Sequence, residues 1–300
     1  MDAKQLRIFV AIVESQTFTR AGRLLGLSQP AISQQVGALE RLLGVPLLVR
    51  TPSGARPTPA GEVLLAYARR ILQQLDEARR VLSDFDAVGS GVLRVGAGAA
   101  ACEHLLPPIV GAFREAFPLL ALQITSGGSR RTLRRLQEGR LDLGLVGLPV
   151  PDTAVRVVEL GREELVAVAA ATHPWAERTR VSIGDLAEEP LLIYGRRGQI
   201  FRRVERLLLQ AGLFPHVAME ADLMSGVLGL VRAGFGVTVL PRWAVASDVA
   251  GGRLIARPIG ETGLYRGRGL VLSEHLHRLR TVKAFVQLCS ERLPPLLAAA

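Results

Sequence analysis

Gln29, Ser33 and Gln34 are hydrogen-bonding side chains grouped near the start of a segment in which Ile32, Val36, Leu39 and Leu43 recur at helical spacing. With those four turned inward, Gln29, Ala31, Ser33, Gln34 and Arg41 face outward. Amide and hydroxyl groups there can bond base edges, and the exposed amides of a helix N-terminus can bond phosphate. Ser28 supplies an N-cap, and Pro30 is tolerated because first-turn amides lack intrahelical partners. Upstream, Thr17 or Thr19 caps a shorter helix whose inward positions are Ala21, Leu24 and Leu25. Gly26 suits its left-handed end and Leu27 plugs the corner. Two helices joined in this way fit a DNA-reading helix-turn-helix, or else an ordinary helical hairpin in an all-α core.

The elements around this pair complete a small domain. Leu6, Phe9, Val10 and Val13 share the face of a first helix. After Gly44, residues 45–50 read as a strand, 51–54 as a turn and 55–58 as a return strand, which makes a wing. Arg50 and Arg56 flank it, placed to pair with backbone phosphates. Lys4, Arg7, Arg20, Arg23, Arg41, Arg50 and Arg56 outnumber Asp2, Glu14 and Glu40 across the domain. From Ala60 to about Asp86 a long helix carries Leu64, Ala68, Ile71, Leu75, Ala78, Leu82 and Phe85 at alternating spacings of four and three, a coiled-coil seam. The competing reading is an amphipathic helix packed on its own domain. A seam between two chains would set two recognition helices on a pseudo-palindromic double-stranded site.

Beyond the break at 88–91 the pattern changes to strands alternating with helices, which implies sheets covered on both faces. Strands are expected at 92–98, 119–126, 141–148, 165–171, 191–194, 217–220, 237–240, 254–258 and 270–272, and a closing helix at 275–292. Two α/β lobes with a cleft between them bind ligands at strand C-termini and helix N-termini.

Composition bounds the function. The 300 residues are 49% hydrophobic and 21% charged, enough for two or three cored domains. Lys+Arg 37 against Asp+Glu 27 gives +10, a balance suited to a polyanionic partner. Cys102 and Cys289 make neither a disulfide scaffold nor a metal cluster, and no secretory or membrane-spanning segment is apparent, so a cytoplasmic protein without membrane association is expected. Residues 96–101 satisfy a loose GxGxxA dinucleotide pattern, but the next strand, Leu122-Gln123-Ile124-Thr125, lacks the ribose-binding acid. There is no GxSxG elbow or Walker loop, and His275-Leu276-His277 has no ligand partners at a recognised spacing. No enzyme, cofactor or metal is expected; an exported solute-binding protein and an oxidoreductase are the rival classes.

The run Phe18, Ala21, Leu25, Ser28-Gln29-Pro30-Ala31, Ser33, Leu39-Glu40, Leu43-Gly44, Arg50 and Thr58-Pro59-Ala60-Gly61 resembles the N-terminal domain of LysR-type transcriptional regulators. Leu93-Arg94-Val95-Gly96, Leu105-Leu106-Pro107, Leu141-Asp142-Leu143-Gly144-Leu145, His173-Pro174 and Leu240-Pro241 are similar to landmarks of that family's effector domain. Leu48, where an aromatic residue is common, Ala21-Gly22 in place of Ala-Ala, and Ser53 without a cation depart from the pattern.

The resemblance implies an α+β and α/β multidomain protein. Its parts are a winged helix-turn-helix over 1–58, a linker or dimerisation helix over 59–88, and a two-lobed effector domain over 89–300, similar in fold to periplasmic solute-binding proteins. Lobe I would take 91–160 with 266–300, and lobe II 161–265. The resemblance assigns DNA contact to Gln29, Pro30, Ala31, Ser33, Gln34, Arg50 and Arg56. It assigns effector contact to Gly98, Ala99, Ala100, Cys102, Ser129, Leu148, Gln199, Ile200 and Phe201. The expected partners are promoter DNA with an imperfect dyad, a small-molecule effector such as an organic anion, and further copies as homodimer or homotetramer, with RNA polymerase left open.

Overall fold

The computed structural model describes residues 1–51, 54–84, 91–151, 155–196, 198–273 and 276–298, with backbone alone at 50, 77 and 79–84. Ser53, Phe85, Arg197 and His275 thus lie outside the described side chains. The chain divides into two compact units, Met1–Ala87 with Gln137–Arg140, and Val88–Leu136 with Leu141–Ala300.

The first unit holds α1 (Ala3–Ser15), α2 (Phe18–Leu25), α3 (Gln29–Leu43), the hairpin β1 (Leu48–Thr51) and β2 (Gly54–Pro57), and α4 (Pro59–Asp84). Asp2 and Gln5 close a capping box on α1. Ile8, Ile12, Ala21, Ile32, Val36 and Ala55 form one cluster, and Leu6, Phe9, Leu39, Leu47, Leu65 and Ala68 the other. The expected seam on α4 is therefore divided. Ala68 is wholly buried in its own unit, with Leu64 and Ile71 packed against that core, while Leu75 and Ala78 are exposed. A four-three spacing fits a helix lying on its own domain as well as one lying on a second chain, and here the domain claims the first half. The apolar residues that α4 leaves exposed are Val63, Tyr67 and Leu75.

The second unit runs β3 (Gly91–Ala97), α5 (Ala99–His104), α6 (Leu106–Ala116), β4 (Leu120–Ser126), α7 (Ser129–Gln137), β5 (Leu143–Leu148) and β6 (Arg156–Ala170). It continues through α8 (Ile183–Glu188), β7 (Leu191–Tyr194), α9 (Gln199–Gln210), β8 (Val217–Ala221), α10 (Met224–Arg232), β9 (Thr238–Pro241), α11 (Ala246–Ala250), β10 (Leu254–Pro258), β11 (Leu264–Leu272) and α12 (Arg280–Ala298). One sheet has the order β10-β6-β11-β5-β3-β4 with β9 also on β6, and β7 pairs with β8 separately. Strand β3 is parallel to β4 and β5, as expected from alternating strands and helices.

Two strands exceed their expected length and join the lobes. β6 starts at Arg156 and β11 at Leu264, and they pair antiparallel from Leu272↔Arg156 to Leu264↔Leu165. Their alternation was hidden by charges and glycines, Glu159 to Glu164 in one and Arg266-Gly267-Arg268-Gly269 in the other. The register shifts between Arg268 and Gly269, opposite Gly161 at φ +137°. That bulge marks where the paired strands pass from one lobe to the other. Lobe II has its own core, including Trp175, Leu186, Leu191, Ile193, Phe201, Val204 and Leu208.

Candidate functional site

Local rules place the outward face of α3. Thr17 Oγ1 accepts from Arg20 N at 3.2 Å, and Ser28 Oγ accepts from Ala31 N at 3.4 Å. Between them Gly26 takes φ +65°, and Leu27 N donates to Gly22 O at 2.9 Å. A Cβ on Gly22 would stand 2.6 Å from the Leu27 carbonyl oxygen, so glycine permits this close approach. With Ile32, Val36 and Leu39 buried, Gln29, Pro30 and Gln34 are exposed and Ala31 and Ser33 half-buried.

The wing is pinned by residues whose role the sequence concealed. Glu40 Oε1 accepts from Leu47 N at 2.7 Å and Leu48 N at 3.2 Å. Ala55 N donates to Gln16 O at 2.7 Å, and Gly54, at φ +138°, lies so close that a Cβ would be 2.0 Å from the same oxygen. Arg56 is exposed opposite Val49, and Arg50 pairs with Ala55 in the ladder. Arg7 is held by Asp76 at 2.9 Å, which removes it from the cations offered to phosphate.

In the second unit the structure brings Ser129, Leu148, Gln199, Ile200 and Phe201 to the lobe junction. Ser129 Oγ donates to Gln199 Oε1 at 3.1 Å and accepts from Gly147 N at 3.1 Å, while Gln199 Nε2 donates to Gly147 O at 3.3 Å. Tyr194, Ile200, Phe201, Val204, Thr238 and Leu240 are among the residues lining the adjoining cavity. Leu148 instead lies over β11, 3.0 Å from Cβ positions on Gly267 and Gly269. The expected loop at Gly98, Ala99, Ala100 and Cys102 is helical: Gly98 is the N-cap and Ala99 opens α5. Gly96 is needed for packing, since its Cβ would be 2.4 Å from Leu141 Cδ1. Burial and then Glu103 push the Cys102 thiol up.

Sequence reasoning missed the charged cluster beside this junction. Glu163 is fully buried on β6 and accepts from Arg266 Nε at 2.7 Å, Arg268 Nη2 at 2.8 Å and Trp243 Nε1 at 2.8 Å. Burial raises the Glu163 pKa, but Arg268 and Arg266 outweigh it and hold the carboxyl below its ordinary range. Trp243 meets His104 of α5 edge-on at 6.1 Å, so the cluster reaches from the paired strands to α5. The alternation of arginine with glycine at 266–269 is the signal that pointed to it.

A winged helix-turn-helix joined to a two-lobed α/β unit defines a class, the ligand-responsive DNA-binding regulators. Residues 3–62 match the model of the bacterial regulatory helix-turn-helix protein, lysR family, and residues 86–294 that of the LysR substrate binding domain. The chain belongs to the LysR family of transcriptional regulators. Among its relatives, the HTH-type transcriptional regulator TtuA of Agrobacterium vitis is 33% identical over 84% of each chain. The HTH-type transcriptional regulator AlsR of Bacillus subtilis is 30% identical over 80% of each. A full-length OxyR variant from Pseudomonas aeruginosa superposes with a TM-score of 0.78 at 26% identity, covering 99% of this chain and 97% of that one. Family membership brings DNA, a small-molecule effector and further copies of the chain as partners. Among the described residues no group of three or more His, Cys, Asp or Glu could hold a metal ion, and no helix is long and apolar enough to cross a membrane.

Proposed function

We propose that α3 reads promoter DNA through Gln29, Ser33 and Gln34, with Pro30 and Ala31 lying against the groove, while Arg50 and Arg56 anchor the wing to phosphates. The supporting observation is that α3 buries Ile32, Val36 and Leu39 yet presents Gln29, Pro30 and Gln34 to solvent next to its capped N-terminus. The protein acts in the cytoplasm as a regulator without catalytic activity. Residues 1–58, 59–88 and 89–300 serve as reader, dimerisation helix and effector module. Val63, Tyr67 and Leu75 supply the part of α4 that meets a second chain, because Leu64, Ala68 and Ile71 are engaged at home. The effector occupies the junction of Ser129, Gln199, Ile200 and Phe201, between lobe I as 91–160 with 266–300 and lobe II as 161–265.

Gel shifts and footprinting against the DNA upstream of the protein's own gene test the reading. Gln34→Ala is expected to weaken specific binding by about 1–3 kcal/mol. Arg56→Ala is expected to weaken binding across sequences and lower the salt slope by about one unit. A folded wild-type dimer with no sequence preference would sink the proposal.

A further inference from the structure

The lobe junction buries more positive than negative charge. Both oxygens of Glu163 are engaged by Arg266, Arg268 and Trp243, and Arg242 is already matched by Glu164 at 2.7 Å. Arg266 reaches Glu163 only through Nε and Nη2. Its third nitrogen, Nη1, stands 3.1 Å from where a Cβ on Gly147 would be, and Gln199 Oε1 comes within 2.6 Å of the same point. Burial pushes the Arg266 guanidinium below its ordinary value, and the cations of Arg268 and Arg203 add to that against the pull of Glu163. Two buried guanidiniums therefore share one carboxylate, and a third cation lies within electrostatic reach. An excess charge withdrawn from water is costly until an anion joins it.

The wall on the other side of Gln199 is apolar, with Tyr194, Ile200, Phe201 and Val204 around the cavity. We propose that the cleft takes a small carboxylate with an apolar body. The carboxylate sits against Arg266 Nη1, Ser129 Oγ and the Gly147 amide, and the body lies on Ile200, Phe201 and Tyr194. The present cavity is about 30 Å³, room for water and not for that body, so binding displaces the Gln199 side chain from Ser129. The charge excess selects an anion, and the single remaining guanidinium nitrogen suits one carboxylate over a polyanion. This inference rests on the effector reading of the cleft and narrows its ligand class.

The test uses the full chain at low ionic strength, with thermal shift and calorimetry against hexanoate, benzoate, acetate and inorganic phosphate, and with the amides of hexanoate and benzoate. Hexanoate or benzoate is expected to stabilise in a saturable way, with its amide, acetate and phosphate each weaker by about tenfold or more. Gly147→Ala places a methyl only against the flexible ends of Gln199 and Arg266, so it folds and is expected to lose the response. Ser129→Ala is expected to weaken it by about tenfold. Equal stabilisation by an amide, phosphate matching the best carboxylate, no response to any probe, or an unchanged response in both variants overturns the proposal. Gel shifts with promoter DNA run alongside separate the two readings. Specific DNA binding with no probe response refutes the carboxylate class alone, and absence of specific DNA binding refutes the regulator reading.

Discussion

Ser129 Oγ donates a hydrogen bond to Gln199 Oε1 at 3.1 Å, so the first residue of α7 and the first residue of α9 are joined directly across 70 positions of sequence. Gly147 completes the link by donating to Ser129 and accepting from Gln199. Lobe I and lobe II are thus latched at the place where a ligand would part them.

Gln199→Ala removes both of its hydrogen bonds in this latch. The effector unit is expected to lose about 1 kcal/mol or somewhat more, as for neutral, partly buried hydrogen bonds. Urea denaturation read by far-ultraviolet circular dichroism measures the loss, and promoter binding in gel shifts is expected to persist because the substitution lies outside the first unit.

Glu163→Gln leaves two buried arginines facing a neutral amide. Removing one partner of a buried ionic cluster costs about 3–5 kcal/mol. The exposed pair Arg178–Asp185 offers the contrast, since Arg178→Ala is expected to cost about 1 kcal/mol or less. A Glu163→Gln variant as stable as Arg178→Ala in urea titrations would contradict the burial argument.

Asp248 gives the acid limb of stability a defined sign. Hydrogen bonding from Arg232 comes first, with Arg253 adding to it, and together they hold its carboxyl below the ordinary range. The folded protein then binds the proton less readily than the unfolded chain. Its contribution is full above about pH 4, the unfolded carboxylate value, and is lost as pH falls through the folded value. Glu163 acts in the same direction. Unfolding midpoints are expected to be flat towards neutrality and to fall in acid, and Asp248→Asn is expected to be less stable than wild type near neutrality, with the difference closing in acid.

Gly22→Ala places a methyl 2.6 Å from the Leu27 carbonyl oxygen, and backbone must move to admit it. A cost of about 1–3 kcal/mol in the first unit is expected, with weaker promoter binding because the start of α3 shifts. Gly54→Ala adds left-handed strain at φ +138° to a 2.0 Å clash with Gln16 O. It is expected to displace the wing and raise the dissociation constant in gel shifts more than Gly22→Ala does.

The cysteines are expected to react slowly. Burial pushes Cys289 up to about 12, and burial with Glu103 raises Cys102, so neither offers much thiolate near neutrality. Alkylation of the native protein by iodoacetamide, followed by mass spectrometry, should be slower at both than at free glutathione. Faster labelling of Cys102 would contradict the assignment.

The sequence by itself determined what depends on near neighbours. Thr17, Gly26, Ser28, Pro30 and Gly44 act through caps and left-handed turns spanning a few residues, so the reading head was legible from spacing. The alternation of strands and helices likewise announced parallel pairing among β3, β4 and β5. Tertiary structure alone decided which face of α4 is engaged, because Leu64, Ala68 and Ile71 have the same spacing whether they meet α1 or a second chain. It alone set Glu163 between Arg266 and Arg268, more than a hundred residues away, where burial turns charges that look like a solvated strand into a cluster. It alone brought Ser129, Gly147 and Gln199 within hydrogen-bonding reach, since the register of β6 on β11 and the lobe crossing at Gly161 arise from packing that no local spacing encodes.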